Sequence, residues 1–259
     1  MIKDIEYLEF TETLSSDFFG GEYDLVVHGP REGRYNMDFD YGRTLEVQKG
    51  AARPMFRLYG WEPWTVSLGA NQKAEDIDAD ECKRLGFGLV RRPTGGRAVL
   101  HADELTYSVV MSIPEKLTVH DIYRRVHEVL VDAFAGLGCE LEFEKAQADF
   151  RRHYRQSGMS AACFASSARY EIEWQGRKIV GSAQRRFGDV LLQHGSILLG
   201  PGHERLADVI AGKGERTRMV LKSFMESHAA TLSQAAGRQI GFEESRDAAI
   251  SAIKSISSK

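Results

Sequence analysis

The sequence has little cysteine and no long apolar run, and these two absences argue against disulfide-rich, cysteine-based zinc-binding and membrane-spanning proteins. Three cysteines in 259 residues are too few and too scattered for a disulfide framework, and no C-x-x-C pair suggests a zinc site. No stretch approaches the roughly 20 apolar residues of a membrane-spanning helix. The charged N-terminus also lacks the apolar centre of a signal peptide. We therefore expect a cytoplasmic protein with free thiols and no membrane partner.

An excess of positive charge is also absent. The chain has 34 lysines and arginines against 37 aspartates and glutamates, a net charge of −3. A dedicated nucleic-acid-binding protein is usually clearly basic, so we expect no nucleic-acid partner. The apolar content of 42% is ordinary for a globular protein, and the length allows one large domain or two small ones.

The pattern of apolar residues predicts an α+β fold. Residues 1–35 are predicted to form a polar N-terminal segment with one short strand at 25–27, and residues 36–259 a single domain with a helical C-terminal part from about 203. Strands are predicted near 55–59, 65–68, 105–110, 170–174, 178–183 and 190–199. Helices are predicted near 36–50, 76–85 and 120–137. We therefore expect mainly antiparallel sheets packed against helices.

Residues 91–101, RRPTGGRAVLH, are the most informative segment. Adjacent glycines let backbone N–H groups approach a ligand closely. Arginine and histidine side chains offer hydrogen-bond donors to an oxygen-rich group. Judged from this segment alone, the alternative to a ligand-binding loop is a hairpin turn with solvent-exposed arginines. Neither of the common glycine-rich phosphate motifs is present here.

Two further residues are candidates for chemistry. Lys178 interrupts an apolar strand, so its ammonium faces either solvent or a cavity, where it can polarise a carbonyl or bind phosphate. Cys163 lies in a run of small residues at 157–167, where a thiol is better placed to react than in an apolar element. An inert thiol is the alternative. A nearby cation would stabilise the thiolate of Cys163, and Lys178 is the natural candidate.

His194 is another polar residue inside an apolar strand. A hydrogen-bonded core histidine is the better supported interpretation, because no second metal ligand stands at a recognisable spacing. We expect no metal. Ser196 is not in a G-x-S-x-G elbow, which disfavours a serine hydrolase. Basic clusters at 151–155 and 185–186 indicate either solvated faces or a docking surface for an acidic partner.

Taken in order, these motifs resemble the lipoate–protein ligase and octanoyltransferase family, whose catalytic fold is similar to that of biotin–protein ligases. The resemblance covers residues 36–199. It rests on four blocks: RLYGWEPWTVSLG at 57–69, RRPTGGRAVLH at 91–101, GRKIVGSAQ at 176–184 and QHGSILL at 193–199. It implies a biotin/lipoate protein ligase-like catalytic domain. The family's early Asn-Met-Ala-x-Asp-Glu motif stands here as NMDFDY at 36–41.

Within this family, residues 94–101 and 162–164 look like those of the cysteine-dependent octanoyl-[acyl-carrier-protein]:protein N-octanoyltransferases. The resemblance implies that Cys163 takes the acyl chain as a thioester. It also implies that Lys178 lowers the pKa of that thiol and orients the carbonyl. The implied substrate-binding residues are Arg91, Arg92, Thr94, Gly95, Gly96, His101, His194 and Gly195.

The implied reaction moves an octanoyl or lipoyl group from acyl carrier protein to a lysine of a lipoyl-accepting protein, without a cofactor. The implied acceptors are the glycine cleavage H protein or dehydrogenase E2 subunits. Three alternatives stay open. One is an ATP-dependent lipoate–protein ligase acting through lipoyl-adenylate, which would need ATP and magnesium. The others are a catalytically silent binder of these domains and an amidotransferase that moves octanoate between carrier proteins.

Overall fold

The computed structural model describes residues 7–143 and 171–257. The strands are β1 (Phe10–Ser16), β2 (Gly21–Arg31), β3 (Met55–Trp61), β4 (Thr65–Leu68), β5 (Gly88–Arg91), β6 (Val99–His101), β7 (Glu104–Ser112), β8 (Glu142–Phe143), β9 (Ile172–Trp174), β10 (Arg177–Phe187) and β11 (Val190–Leu198). The helices are α1 (Gly33–Gln48), α2 (Ala79–Arg84), α3 (Val119–Ala135), α4 (Glu215–His228), α5 (Leu232–Ala236) and α6 (Phe242–Ser255). No helix in these ranges is long and apolar enough to cross a membrane. The predicted α+β class is confirmed.

Two sheets organise the described chain. Eight strands form the large sheet in the order β1-β2-β3-β7-β11-β10-β9-β8, and β5-β4-β6 form a small one. The strand pairs are antiparallel except β2 with β3 and β4 with β5, as expected for a mainly antiparallel fold.

The N-terminal segment is more structured than the sequence pattern indicated. Part of residues 1–35 forms β1 and β2, and the strand predicted at 25–27 belongs to an eleven-residue strand. Residues Tyr23 to Val27 are buried without interruption. A strand buried on both faces shows a continuous apolar run rather than alternation, which made its length hard to see in the sequence.

Successive side chains of the central strands point alternately to the two faces of the large sheet, and the two faces differ in polarity. Tyr107 of β7 joins the main apolar cluster, which also contains Val126 of α3 and Ile253 of α6. The next residue, Ser108, faces α1 and hydrogen-bonds to it. Because successive side chains of a strand point to opposite faces, one face of the large sheet supports the packed core. The other face carries polar side chains towards α1 and the small sheet.

Candidate active site

A cavity of about 310 Å³ lies between the polar face of the large sheet and the small sheet. This volume falls within the range of small-molecule sites. Several residues that the sequence singled out line it: Arg92, Gly95, Gly96, His101, Lys178, His194 and Gly195. A larger cavity of about 870 Å³, formed mainly by the C-terminal part of the chain, contains none of these residues. The smaller cavity is therefore the candidate active site.

Lys178 lies in the cavity wall and is buried. Its Nζ is 2.7 Å from Oε1 of Glu171, which is also buried. The backbone of Lys178 is fixed as well, because its carbonyl accepts a hydrogen bond from the Ala230 amide at 2.9 Å. The sequence left open whether this side chain faces solvent or a cavity, and the structure places it in the cavity wall. Sequence inspection did not single out Glu171.

Arg92 holds the glycine loop from inside the fold. Its guanidinium donates to the Ser67 carbonyl at 2.9 Å and to the Ser67 hydroxyl at 3.0 Å. It also donates to the carbonyls of Gly95 at 2.9 Å and Arg97 at 2.6 Å. The side chain therefore fixes the loop conformation and ties it to β4.

Arg91 has a similar structural role on the outer side of the loop. Its Nη1 donates to the carbonyls of Gly69 and Gln72, each at 2.7 Å. Arg91 is absent from the described cavity lining. The adjacent backbones are in close contact, because a Cβ on Gly69 would collide with the carbonyl of Gly96. Both arginines thus act through the backbone around the cavity.

His194 connects the glycine loop to α1. Its Nε2 lies 2.6 Å from Oγ1 of Thr94, and its Nδ1 lies 3.8 Å from Oδ2 of Asp40. Burial lowers the pKa of His194 more than the Asp40 carboxylate raises it, so the imidazole is neutral at pH 7. A neutral ring can accept a hydrogen bond at one nitrogen and donate at the other.

Behind His194 lies a fully buried salt bridge. Arg57 Nη1 is 2.8 Å from Asp40 Oδ1, and neither side chain is exposed. The carboxylate accepts further hydrogen bonds from Ser108 and Tyr59, and the guanidinium donates to Oδ1 of Asn36. Burial opposes ionisation of Asp40, but the charge of Arg57, the interaction with His194 and the hydrogen bond from Arg57 together outweigh it and hold the pKa of the carboxyl below its usual value. Asn36 and Asp40 share one face of α1 because they are four residues apart.

His101 closes another side of the cavity. Its Nε2 lies 2.8 Å from Oγ of Ser67, and its Nδ1 lies 2.8 Å from Oε1 of Glu104 and 3.1 Å from Oγ of Ser196. The ring stacks on Trp61 with centroids 3.9 Å apart. Contacts on both nitrogens and on the ring face hold His101 in one orientation.

Gly195 belongs to a tightly packed polar cluster at the back of the cavity. A Cβ there would collide with Oγ of Ser182 and with the ring of Tyr107. The Tyr107 hydroxyl lies 2.7 Å from Ser182 Oγ and 3.1 Å from Nε2 of His127. Gly195 is thus required for the approach of β11 to β7 and β10.

Cys163 lies outside the described residues, as does the basic cluster at 151–155. The two described cysteines, Cys82 and Cys139, are buried free thiols. Burial raises the pKa of Cys82 to about 11 and also raises the pKa of Cys139. Neither thiol is suited to nucleophilic chemistry at neutral pH.

Comparison with known sequences relates the chain to octanoyltransferases. The octanoyltransferase LipM of Kyrpidia tusciae is 39% identical over 230 residues, which cover 86% of this chain and 83% of the relative. LipM of Staphylococcus aureus is 36% identical over 232 residues, covering 87% and 83%. LipM of Moorella thermoacetica is 41% identical over 220 residues, covering 83% and 79%.

Solved structures share the fold at lower identity. The bipartite lipoate protein ligase of Thermoplasma acidophilum superposes with a TM-score of 0.68 at 21% identity, over 90% of this chain and 82% of that chain. A lipoate-protein ligase A bound with ATP gives 0.65 at 22% identity, over 90% and 84%. A family model, the lipoyl protein ligase A/B catalytic domain, matches residues 32–254. The chain therefore belongs to the lipoyl protein ligase A/B catalytic domain family.

Proposed function

We propose that the protein transfers an octanoyl group from acyl carrier protein, through a thioester on Cys163, to a lysine of a lipoyl-accepting domain. The similarity to the LipM octanoyltransferases over most of both chains carries the proposal. The cavity supports it, because Met37, Tyr59 and Val99 give its wall an apolar part next to the buried ammonium of Lys178. Such a wall suits an acyl chain that ends in a polar carbonyl.

In the first step the Cys163 thiolate attacks the carbonyl carbon of the octanoyl thioester on the carrier. A new carbon–sulfur bond forms, the carbon–sulfur bond to the carrier breaks, and the carrier thiolate leaves and takes up a proton. One thioester replaces another, so the step is close to balanced in energy. Lys178 would favour the thiolate form of Cys163 through its positive charge.

In the second step the neutral ε-amine of the acceptor lysine attacks the octanoyl-Cys163 thioester. An amide bond forms, the bond to Cys163 sulfur breaks, and the proton of the ammonium formed by the attack passes to the leaving Cys163 thiolate. Conversion of a thioester to an amide is strongly downhill, so the reaction needs no ATP. The proposed acceptors are the glycine cleavage H protein or dehydrogenase E2 subunits, in the cytoplasm.

The residues around the cavity divide into two groups in this mechanism. Backbone N–H groups of the loop at Gly95 and Gly96 would lie near the reacting carbonyl and stabilise negative charge on its oxygen. His194, with Thr94 on one nitrogen, would orient this loop from behind. Arg91, Arg92, His101 and Gly195 would hold the surrounding backbone through the contacts described above.

An assay with octanoyl-acyl carrier protein and an unmodified lipoyl domain tests the function. We expect octanoylation of the domain without ATP, and loss of transfer in Cys163→Ala. Exchange of pyrophosphate into ATP that depends on lipoate and persists in Cys163→Ala would instead identify a ligase. Domain binding with neither reaction would identify a silent binder. Transfer only from an octanoylated carrier domain would identify an amidotransferase.

A further inference from the structure

Helix α4 presents an apolar surface to solvent on the side away from the core. Met219 is 66% exposed and Val220 is 53% exposed, more than any other large apolar side chain in the described ranges. Leu221 and Met225 of the same helix are buried and attach it to the protein. The exposed pair is therefore not needed to hold α4 in place.

Basic side chains outnumber acidic ones on this stretch of the chain: Lys213, Arg216, Arg218 and Lys222 are basic, and Glu215 is acidic. Lys213 and Arg216 are exposed, and their side chains form neither a salt bridge nor a hydrogen bond with any other described residue. Arg216 shares the outer face of α4 with Met219 and Val220, and the exposed Glu215 adjoins Met219 there, because positions i, i+3 and i+4 of a helix are neighbours. We call these four residues, Lys213, Arg216, Met219 and Val220, the α4 patch. The patch is basic although the whole chain carries a net charge of −3.

The helix leads from this patch to the candidate active site. It ends at His228, and the next residue, Ala229, forms a β-bridge with Lys178. Ten residues separate Met219 from Ala229, which is about 15 Å along a helix axis. Met219 thus lies about 15 Å along the helix from the residue that pairs with Lys178, a length that a flexible prosthetic arm can span.

We infer that the α4 patch is the docking surface for the acidic acyl carrier protein that donates the octanoyl group; this inference rests on the proposed function. Exposed apolar residues inside a basic surface complement an acidic partner that also has apolar contacts to bury. A carrier that delivers its thioester on an arm must dock at a distance from the reacting group, and the α4 patch satisfies this condition.

The basic pair at 185–186 matches this role less well. Arg185 Nη1 donates to the Pro93 carbonyl at 2.7 Å, and its guanidinium lies over the ring of Phe187. The side chain is thus engaged in holding the glycine loop. A partner that recruited its charge would have to break these contacts.

Charge reversal on the patch tests the inference with two donors. We expect Lys213→Glu/Arg216→Glu to lower kcat/KM for octanoyl-acyl carrier protein by about tenfold, mainly through KM, because electrostatic complementarity steers association. Met219→Ser/Val220→Ser should have a similar effect. Activity with octanoyl-coenzyme A, which has no carrier protein to dock, should stay unchanged. Arg34→Glu, a reversal at a side chain that is 88% exposed on α1, is the matched control.

The outcomes separate this inference from the proposed function. If wild-type protein transfers octanoate from neither donor, the proposed function fails and the patch has no donor to bind. If transfer occurs and the patch variants keep full kcat/KM with the carrier donor, the docking inference is wrong. An equal loss with both donors would show a structural effect, and a rise in KM for the acceptor domain alone would assign the patch to the acceptor. Both results would overturn the inference.

Discussion

Arg57 and Asp40 are fully buried and face each other at 2.8 Å. Removing two charges from water costs several kcal/mol per ion, and such a pair is stable only when other hydrogen bonds complete it. Here Asn36, Tyr59 and Ser108 provide those bonds. Because Asp40 also lies beside His194, this pair connects the stability of the fold with the geometry of the cavity.

Loss of one partner of this pair should be strongly destabilising. We expect Asp40→Asn to lower the free energy of unfolding by about 3–5 kcal/mol, because it leaves the Arg57 charge buried without a counter-ion. Urea denaturation followed by circular dichroism measures this value. Asp38→Asn, at a largely exposed position on the same helix, should change it by less than about 0.5 kcal/mol. Equal effects of the two substitutions would contradict a structural role for the pair.

The reactivity of the thiols gives a second prediction at this scale. Cys82 and Cys139 are buried with raised pKa values, so iodoacetamide should label the native protein mainly at Cys163. Lys178→Met should shift the pH midpoint of that labelling upward, because the thiolate loses a stabilising cation. Rates measured between pH 5 and 10 give the midpoint, and Lys83→Met serves as control at an exposed lysine. An unchanged midpoint in Lys178→Met would remove the proposed role of this lysine.

The sequence alone identified some of the candidate site residues and missed others. Lys178 and His194 stood out as polar residues in apolar strands, and both line the cavity. Asp40 did not, because its partners Arg57 and His194 are distant in sequence and close only in the folded chain. Glu171 is near Lys178 in sequence, but only the pairing of β9 with β10 brings the two side chains together. The residue type of Arg91 and Arg92 indicated ligand binding. In the folded loop both guanidinium groups instead donate hydrogen bonds to backbone carbonyls.

At the scale of secondary-structure elements, the packing of strand β11 depends on the absence of a side chain at Gly195. We expect Gly195→Ala to lower the free energy of unfolding by about 1–3 kcal/mol, because the added methyl group would collide with Ser182 and Tyr107. Gly42→Ala is the matched control. Nothing lies within 4 Å of a Cβ at Gly42, in the middle of α1, so alanine should raise stability by about 1 kcal/mol there. Thermal unfolding of both variants measures the difference, and shifts of the same sign would contradict this packing.

The elements were predictable where a local signal was strong. Helix α3 follows from its apolar spacing and from its N-terminal capping box, which joins Thr118 and Asp121. The helix ends at Ala135, and Gly138 shortly after it has a positive φ of 83°. The hairpin between β9 and β10 follows from Gln175-Gly176, where both residues have positive φ. The N-terminal strands were underestimated, because burial of β2 on both faces removes the alternation that marks a strand.

At the scale of the whole molecule, buried histidines make stability depend on pH. Burial lowers the pKa of His203 to about 4, whereas an unfolded histidine titrates near 6.5. Between these values the unfolded chain binds a proton that the folded chain does not bind. Stability is therefore full above pH 6.5 and falls as the pH decreases to 4, by about 1 kcal/mol per pH unit for this residue.

A substitution at His203 isolates this effect. We expect His203→Gln to reduce the slope of unfolding free energy against pH between 4.5 and 6.5, whatever its effect on stability at pH 7.5. Urea titrations at several pH values give the slope, and the exposed His120 provides the control substitution His120→Gln. A slope identical to that of the wild type would show that His203 does not contribute to acid sensitivity.

The proposed reaction requires an octanoyl-enzyme intermediate, and intact-protein mass spectrometry detects it most directly. The protein is mixed with octanoyl-acyl carrier protein in the absence of ATP and of an acceptor. Wild type and Cys82→Ala should each gain the mass of one octanoyl group, which disappears when the lipoyl domain is added, whereas Cys163→Ala should gain none. Undiminished octanoylation of the lipoyl domain by Cys163→Ala would contradict transfer through this cysteine.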